Sequence, residues 1–138
     1  MWGWFTIPLA KMVGDHGRVI AVDLQQQMLD MMRRRAERAG VANRIEAHKC
    51  EQDRLGMEAQ ADFALAFAMV HEVPDQRRLF GEIHACLKPG GKLLLAEPPL
   101  HVSGKAFSQE VATAEEVGFR VAEEPRIRWC RAVVLARQ

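Results

Sequence analysis

Cysteine is scarce in this chain of 138 residues: Cys50, Cys86 and Cys130 stand far apart, and no two form a CxxC pair. An odd, widely spaced set excludes a disulfide framework and a zinc knuckle. Long apolar runs are lacking as well. The longest is Phe63–Val70, far short of the roughly 20 residues that a bilayer span needs. No basic stretch precedes an apolar segment at the start, so no signal peptide is expected. An excess of charge of one sign is also missing, with 19 Lys+Arg against 18 Asp+Glu and a formal net charge of +1. Such a balance sets up no field to gather nucleic acid or membrane phosphates. Internal repeats, low-complexity tracts and linkers are absent. These features lead us to expect a single domain over residues 1–138 in the reducing cytoplasm, with neither nucleic acid nor membrane as partner.

What is present suits a packed core. Hydrophobic residues make up 49% of the chain and charged residues 27%, which excludes disorder. A domain of this length buries about two-thirds of its unfolded surface.

Two kinds of segment alternate. Arg18–Leu24 (RVIAVDL) is β-branched and almost continuously apolar, as a strand covered on both faces is. Gln26–Ala39 has helical spacing, with Met28, Leu29, Met32, Ala36 and Ala39 on one side and Gly40 as the stop. Arg44–Cys50 is a shorter strand and Ala61–Met69 another buried one, although an Ala-rich run of this length can also be helical. Asp75 is an N-cap for a helix running to Leu87, with Leu79, Phe80, Ile83 and Leu87 inward. Lys88-Pro89-Gly90-Gly91 is expected to be the turn that ends this helix. Lys92–Glu97 is a third buried strand. A helix over Lys105–Val117 then stops at Gly118, and FRVAEE and RAVVLAR flank Pro125 as an antiparallel pair closing one edge. Strand–helix alternation with apolar strands predicts an α/β fold built on an open, mostly parallel sheet with helices on both faces.

In such sheets ligands bind outside the carboxyl ends of the strands. The residues there are Asp23, Cys50–Asp53, Met69–Glu72 and Glu97–His101. A carboxylate at Asp23 can accept both hydroxyls of a ribose, or serve only as an acid near a helix N-terminus. Gly3 lies 20 residues before it, the separation between a glycine turn and the ribose acid in nucleotide-binding βαβ units, although a full GxGxxG is absent. Glu51 or Gln52 could sit beside an adenine, or in a solvated loop. His71 could orient a substrate or act as a general base, with Glu72 beside it, or merely cap a turn. His84 and Cys86 share a helix and do not converge on a metal. Arg33, Arg34, Arg35 and Arg38 spread round their helix as a solvated face.

The stretches WFTIPLAKMVGDHGRVIAVDLQQQML, HEV after Met69, CLKPGGKLLLAEP and GFRVAEEPRIRWCRAVVLAR, in that order, resemble the class I S-adenosylmethionine-dependent methyltransferases. The similar group is that of the ubiquinone and menaquinone biosynthesis methyltransferases. The resemblance spans essentially the whole chain and implies a Rossmann-like fold, S-adenosylmethionine as cofactor and a small-molecule methyl acceptor. Under it, Gly3 matches the last glycine of the cofactor loop and Asp23 the ribose acid, with Leu24 packed beside the adenosine. Cys50, Glu51 and Gln52 fall where the family lines the adenine. Met69 and His71 fall near the methionine arm and the substrate mouth. His71 and Glu72 are the candidates for any base the reaction needs.

Family members open with a strand ending in an acid and a D-x-G-x-G-x-G run. Here the chain starts at Met1-Trp2-Gly3-Trp4, so the resemblance implies that the first strand and most of the glycine-rich loop are missing. Two expectations follow. The strands Arg18–Leu24 and Ala61–Met69 would each keep an unpaired edge, a place for a homodimer to form. The cofactor carboxylate would lose backbone donors worth about 1.5–3 kcal/mol each, impairing activity. Two other functions are compatible with the residues alone: a fragment of a nicotinamide-dependent oxidoreductase, since the Gly3–Asp23 spacing suits that cofactor too, and a non-catalytic Rossmann-like interaction module.

Overall fold

The computed structural model describes residues 6–12, 14–23, 25–51, 54–58, 60–67, 69–127 and 130–138. They belong to two compact units, Met1–Glu51 and Gln52–Gln138.

In the first unit, helix α1 (Thr6–Met12) precedes strand β1 (Val19–Asp23), helix α2 (Gln26–Arg38) and strand β2 (Ile45–Lys49). The expected strand–helix–strand is there, while α1 adds an element that sequence periodicity did not show. At seven residues α1 is too short for a periodic stripe, and Pro8 in its first turn costs no helical hydrogen bond. β1 and β2 are parallel, with Val19 opposite Ile45 and Asp23 opposite Lys49. α2 buries Leu29, Met32 and Ala36, the three- and four-residue spacing of one helix face. These pack with Ala10, Val41 and the alternate strand residues Val19, Ala21, Ile45 and Ala47. Two of the expected inward residues differ: Met28 is only half-buried and Ala39 is exposed, because Ala39 is already the C-cap. Arg44 ties the unit together, donating to the Ala10 carbonyl at 3.2 Å and pairing with Asp15.

The second unit carries strand β3 (Ala61–Phe67), helix α3 (Gln76–Cys86), strand β4 (Leu87–Glu97), helix α4 (Gly104–Val117), and strands β5 (Phe119–Glu123) and β6 (Arg131–Arg137). Its sheet has the order β3-β4-β6-β5. β3 and β4 are parallel, whereas β6 runs antiparallel to both β4 and β5. The closing antiparallel pair is therefore where the sequence puts it. Leu93, Leu95, Val133 and Leu135 alternate onto one face and bury against Leu79, Phe80 and Ile83 of α3 and Ala114 of α4. Phe80 meets Phe119 edge-on, with centroids 6.5 Å apart. Asp75 caps α3 by accepting from the Arg78 N–H at 3.0 Å, and Ser103 caps α4 through Ala106 at 3.1 Å. Each such cap contributes about 0.5–2 kcal/mol. α4 ends at Gly118, whose φ of 126° only glycine adopts readily.

Two expectations need correction. Lys88–Gly91 is not a turn between helix and strand: β4 starts at Leu87, level with Ala61, and Phe63 is level with Lys92. The four residues swell out of a continuous strand as a bulge. Gly91 is needed there because a Cβ would lie 2.8 Å from the Lys88 carbonyl oxygen. β3 is also less covered than an all-apolar strand suggests, with Phe63 43% exposed. It ends the strand order, and among the described residues β3 pairs only with β4 and β1 only with β2.

Candidate functional site

The first unit brings two strand ends level. β1 closes on Asp23 and β2 on Lys49, its partner in the ladder; Cys50 follows, buried, and then Glu51, exposed. The carboxyl ends of adjacent parallel strands are where sheets of this class bind ligands. Gly3, Leu24, Gln52 and Asp53 lie outside the described residues.

The second unit brings together four of the residues at strand ends, His71, Glu72, Glu97 and His101. After β3 the chain makes one 3-10 turn, Val70–Glu72, with Met69 half-buried against the core. This turn carries His71 toward the end of β4. There Nδ1 of His71 lies 2.6 Å from Oε2 of Glu97, whose side chain is fully buried. Glu97 follows Leu93 and Leu95 at alternate positions, so it occupies the core face of β4. The His101 ring lies parallel to that of His71, with centroids 5.9 Å apart and planes 3° apart. The other ring nitrogen, Nε2, is 3.7 Å from Oε1 of Glu72, which is largely exposed. A carboxylate can only accept, so Nδ1 carries the hydrogen of the contact with Glu97. This is the arrangement of an oriented general base.

Sequence reasoning missed Glu110. It projects from α4, is 2% exposed, and lies within electrostatic reach of Glu97. Burial, and then the Glu97 charge, push its carboxyl up to about 8. The signal was available: Phe107, Glu110, Val111, Ala114 and Val117 form one helical stripe, apolar except for Glu110. His84 and Cys86 lie elsewhere. The His84 ring packs edge-on against Phe119, and its pKa is lowered by burial and by Arg137. Burial raises the Cys86 thiol, whose Sγ donates to the Met57 carbonyl.

A family model described as "Methyltransferase domain" matches residues 2–91. The chain belongs to that methyltransferase family. Among curated relatives, the methyltransferase domain is 29% identical over 109 residues to the "Ubiquinone/menaquinone biosynthesis C-methyltransferase UbiE" of Enterobacter sp. (strain 638), which spans 76% of this chain and 43% of the relative. It is 32% identical over 96 residues to the "Demethylmenaquinone methyltransferase" of Lactobacillus johnsonii, spanning 69% of this chain and 39% of the relative. The chain thus covers about two-fifths of the length of these relatives. Its fold matches a SAM-dependent methyltransferase from Aquifex aeolicus with a TM-score of 0.84 at 23% identity, covering 97% of this chain and 76% of that one. It also matches an S-adenosylmethionine-dependent methyltransferase from Mesorhizobium loti, with a TM-score of 0.77 at 18% identity, over 99% of this chain and 87% of the other. The α/β methyltransferase fold expected from the sequence is therefore present, and S-adenosylmethionine is the cofactor indicated for a domain of this family.

Proposed function

We propose that the methyltransferase domain uses S-adenosylmethionine to methylate a small molecule whose reacting atom loses a proton on methylation. The observation that carries this reading is the 2.6 Å contact between His71 Nδ1 and the buried Glu97 carboxylate. When bound, S-adenosylmethionine supplies a methyl group on a sulfonium; its C–S bond breaks as the bond to the acceptor forms. The rate of such a transfer comes mainly from holding the acceptor in line, so few side chains are required. A proton lost by the acceptor goes to Nε2 of His71, and Glu97 stabilises the imidazolium that results. Glu72, beside Nε2, is the second candidate at this mouth.

Asp23 takes the ribose hydroxyls in this reading. Gly3, Leu24, Cys50, Glu51, Gln52 and Met69 are assigned to the remainder of the cofactor by the family resemblance. The names of the curated relatives make a carbon atom of a quinone precursor the first acceptor to try. The reading also takes residues 1–138 to work as one cytoplasmic domain. The balanced charge supports a small-molecule acceptor over nucleic acid or membrane, and the free edges of β1 and β3 are where a homodimer would form.

The test is methyl transfer from S-adenosylmethionine to catechol and to 1,4-dihydroxynaphthalene, followed by mass spectrometry. General-base catalysis supplies about 10²–10⁴-fold, so His71→Ala should lose at least a hundredfold while still binding S-adenosylhomocysteine. An undiminished rate in His71→Ala would overturn the role of His71. Absence of transfer to either probe by the unaltered chain would overturn this acceptor class.

A further inference from the structure

Two buried carboxyl groups in contact cannot both be charged at low cost. Glu97 and Glu110 are such a pair, on β4 and α4, and both are at most 2% exposed. The Oε1 atoms of the two groups are buried with no hydrogen-bond partner among the described residues. One proton held between the carboxyls relieves both problems, since it removes a charge and supplies the missing donor. The surroundings decide where that proton resides. Glu97 faces His71 from the 3-10 turn, with His101 stacked behind that ring and Glu72 on its far nitrogen. On β6, Arg131 stands opposite Glu97 in the ladder, and its Nε donates to the Val102 carbonyl. Glu97 has a donor at Oε2, Nδ1 of His71, which favours placing the negative charge on Glu97. Oε1 of Glu110 has no donor among the described residues, which favours placing the proton on Glu110.

We propose that Glu110 is a positioning residue for the proposed reaction: by donating a shared proton to Glu97 it fixes a single negative charge beneath His71, and that charge holds the ring with Nδ1–H inward and Nε2 bare toward the acceptor. The role rests on the reading of His71 as the base. A neutral amide in place of Glu110 mimics the protonated acid, so Glu110→Gln should keep His71 as the Nδ1–H tautomer at neutral pH, as in the unaltered chain. The two should part only on the alkaline side. There Glu110 loses its proton near pH 8, a second buried charge appears, and the unaltered chain alone shows an inflection in its rate.

The experiment is NMR of the full chain labelled with ¹³C at the glutamate carboxyls and ¹⁵N at the histidine rings, titrated between pH 4 and 9. It needs neither cofactor nor acceptor. The Glu110 carboxyl carbon should titrate near pH 8, move toward the ordinary 4.5 in Glu97→Gln, and leave His71 as the Nδ1–H tautomer at neutral pH. Titration of Glu110 near 4.5 in the unaltered chain, or an Nε2–H tautomer at His71, would overturn the proposal. Failure of the underlying reading looks different. A shared proton seen by NMR, together with transfer unaffected by His71→Ala, overturns the proposed function and the positioning role with it. An ordinary Glu110 titration with transfer abolished by His71→Ala overturns the shared proton alone.

Discussion

Nδ1 of His71 lies 2.6 Å from Oε2 of Glu97, so a ring at the end of one strand is held by a fully buried carboxylate at the end of the next. Parallel pairing of β3 with β4 makes the contact possible, since it puts the carboxyl ends of both strands on the same side of the sheet. Glu97→Gln keeps the shape but removes the charge that steadies an imidazolium. Methyl transfer should fall by about a hundredfold while the fold persists, as steady-state kinetics alongside circular dichroism would show. An unchanged rate would mean that the contact only positions the turn.

Stability should fall as pH rises through the range where Glu110 holds its proton only in the folded chain. The group's pKa is raised from 4.5 to about 8 on folding. Below 4.5 both states are protonated and the group contributes no pH dependence. Between 4.5 and 8 the unfolded chain has released a proton that the folded one retains, so the unfolded state gains as pH climbs. Above 8 the slope vanishes. Urea denaturation across this range should show the decline in the unaltered chain and a flatter profile in Glu110→Gln. Parallel profiles would count against a raised Glu110.

The aromatic centre of the second unit gives a test of packing. Phe80 is fully buried, edge-on to Phe119. Phe80→Ala should cost about 3–5 kcal/mol through lost transfer energy and the cavity left behind, measured by denaturant unfolding. A cost below about 1 kcal/mol would be that of a half-exposed ring.

At the bulge, Gly91→Ala forces a Cβ to within 2.8 Å of a backbone oxygen. Because backbone cannot swing aside as a side chain can, the bulge must shift, at about 1–3 kcal/mol. The same denaturation experiment measures this cost, and an unaffected midpoint would show that the bulge relaxes freely.

Much of this architecture was legible because it is written locally. The β-branched run before Asp23, the Leu29–Met32–Ala36 stripe and the Asp75 cap each depend on neighbours within a few residues, and each forms as expected. The Lys88–Gly91 segment was misjudged for the opposite reason. Pro and two Gly residues signal a turn, but whether a strand continues past them is decided by pairing with Ala61 and Phe63, far away in sequence. The candidate site was half legible. Strand ends pointed to His71, Glu97 and His101 without saying which would touch, because that depends on where the 3-10 turn delivers the ring. Glu110 was hidden on a helix assigned to the core, where a single carboxylate in an apolar stripe was the one available sign.

Recognition of the cofactor is tested most directly by calorimetric titration of the 138-residue chain with S-adenosylhomocysteine, with NADH as the comparison. S-adenosylhomocysteine should bind saturably with a Kd on the order of micromolar, and NADH should show no comparable binding. Asp23→Ala should weaken the former by at least tenfold, since hydrogen bonds to a charged group are worth about 1.5–3 kcal/mol each. A chain that is folded by circular dichroism and ignores S-adenosylhomocysteine, or that prefers NADH, would contradict this recognition.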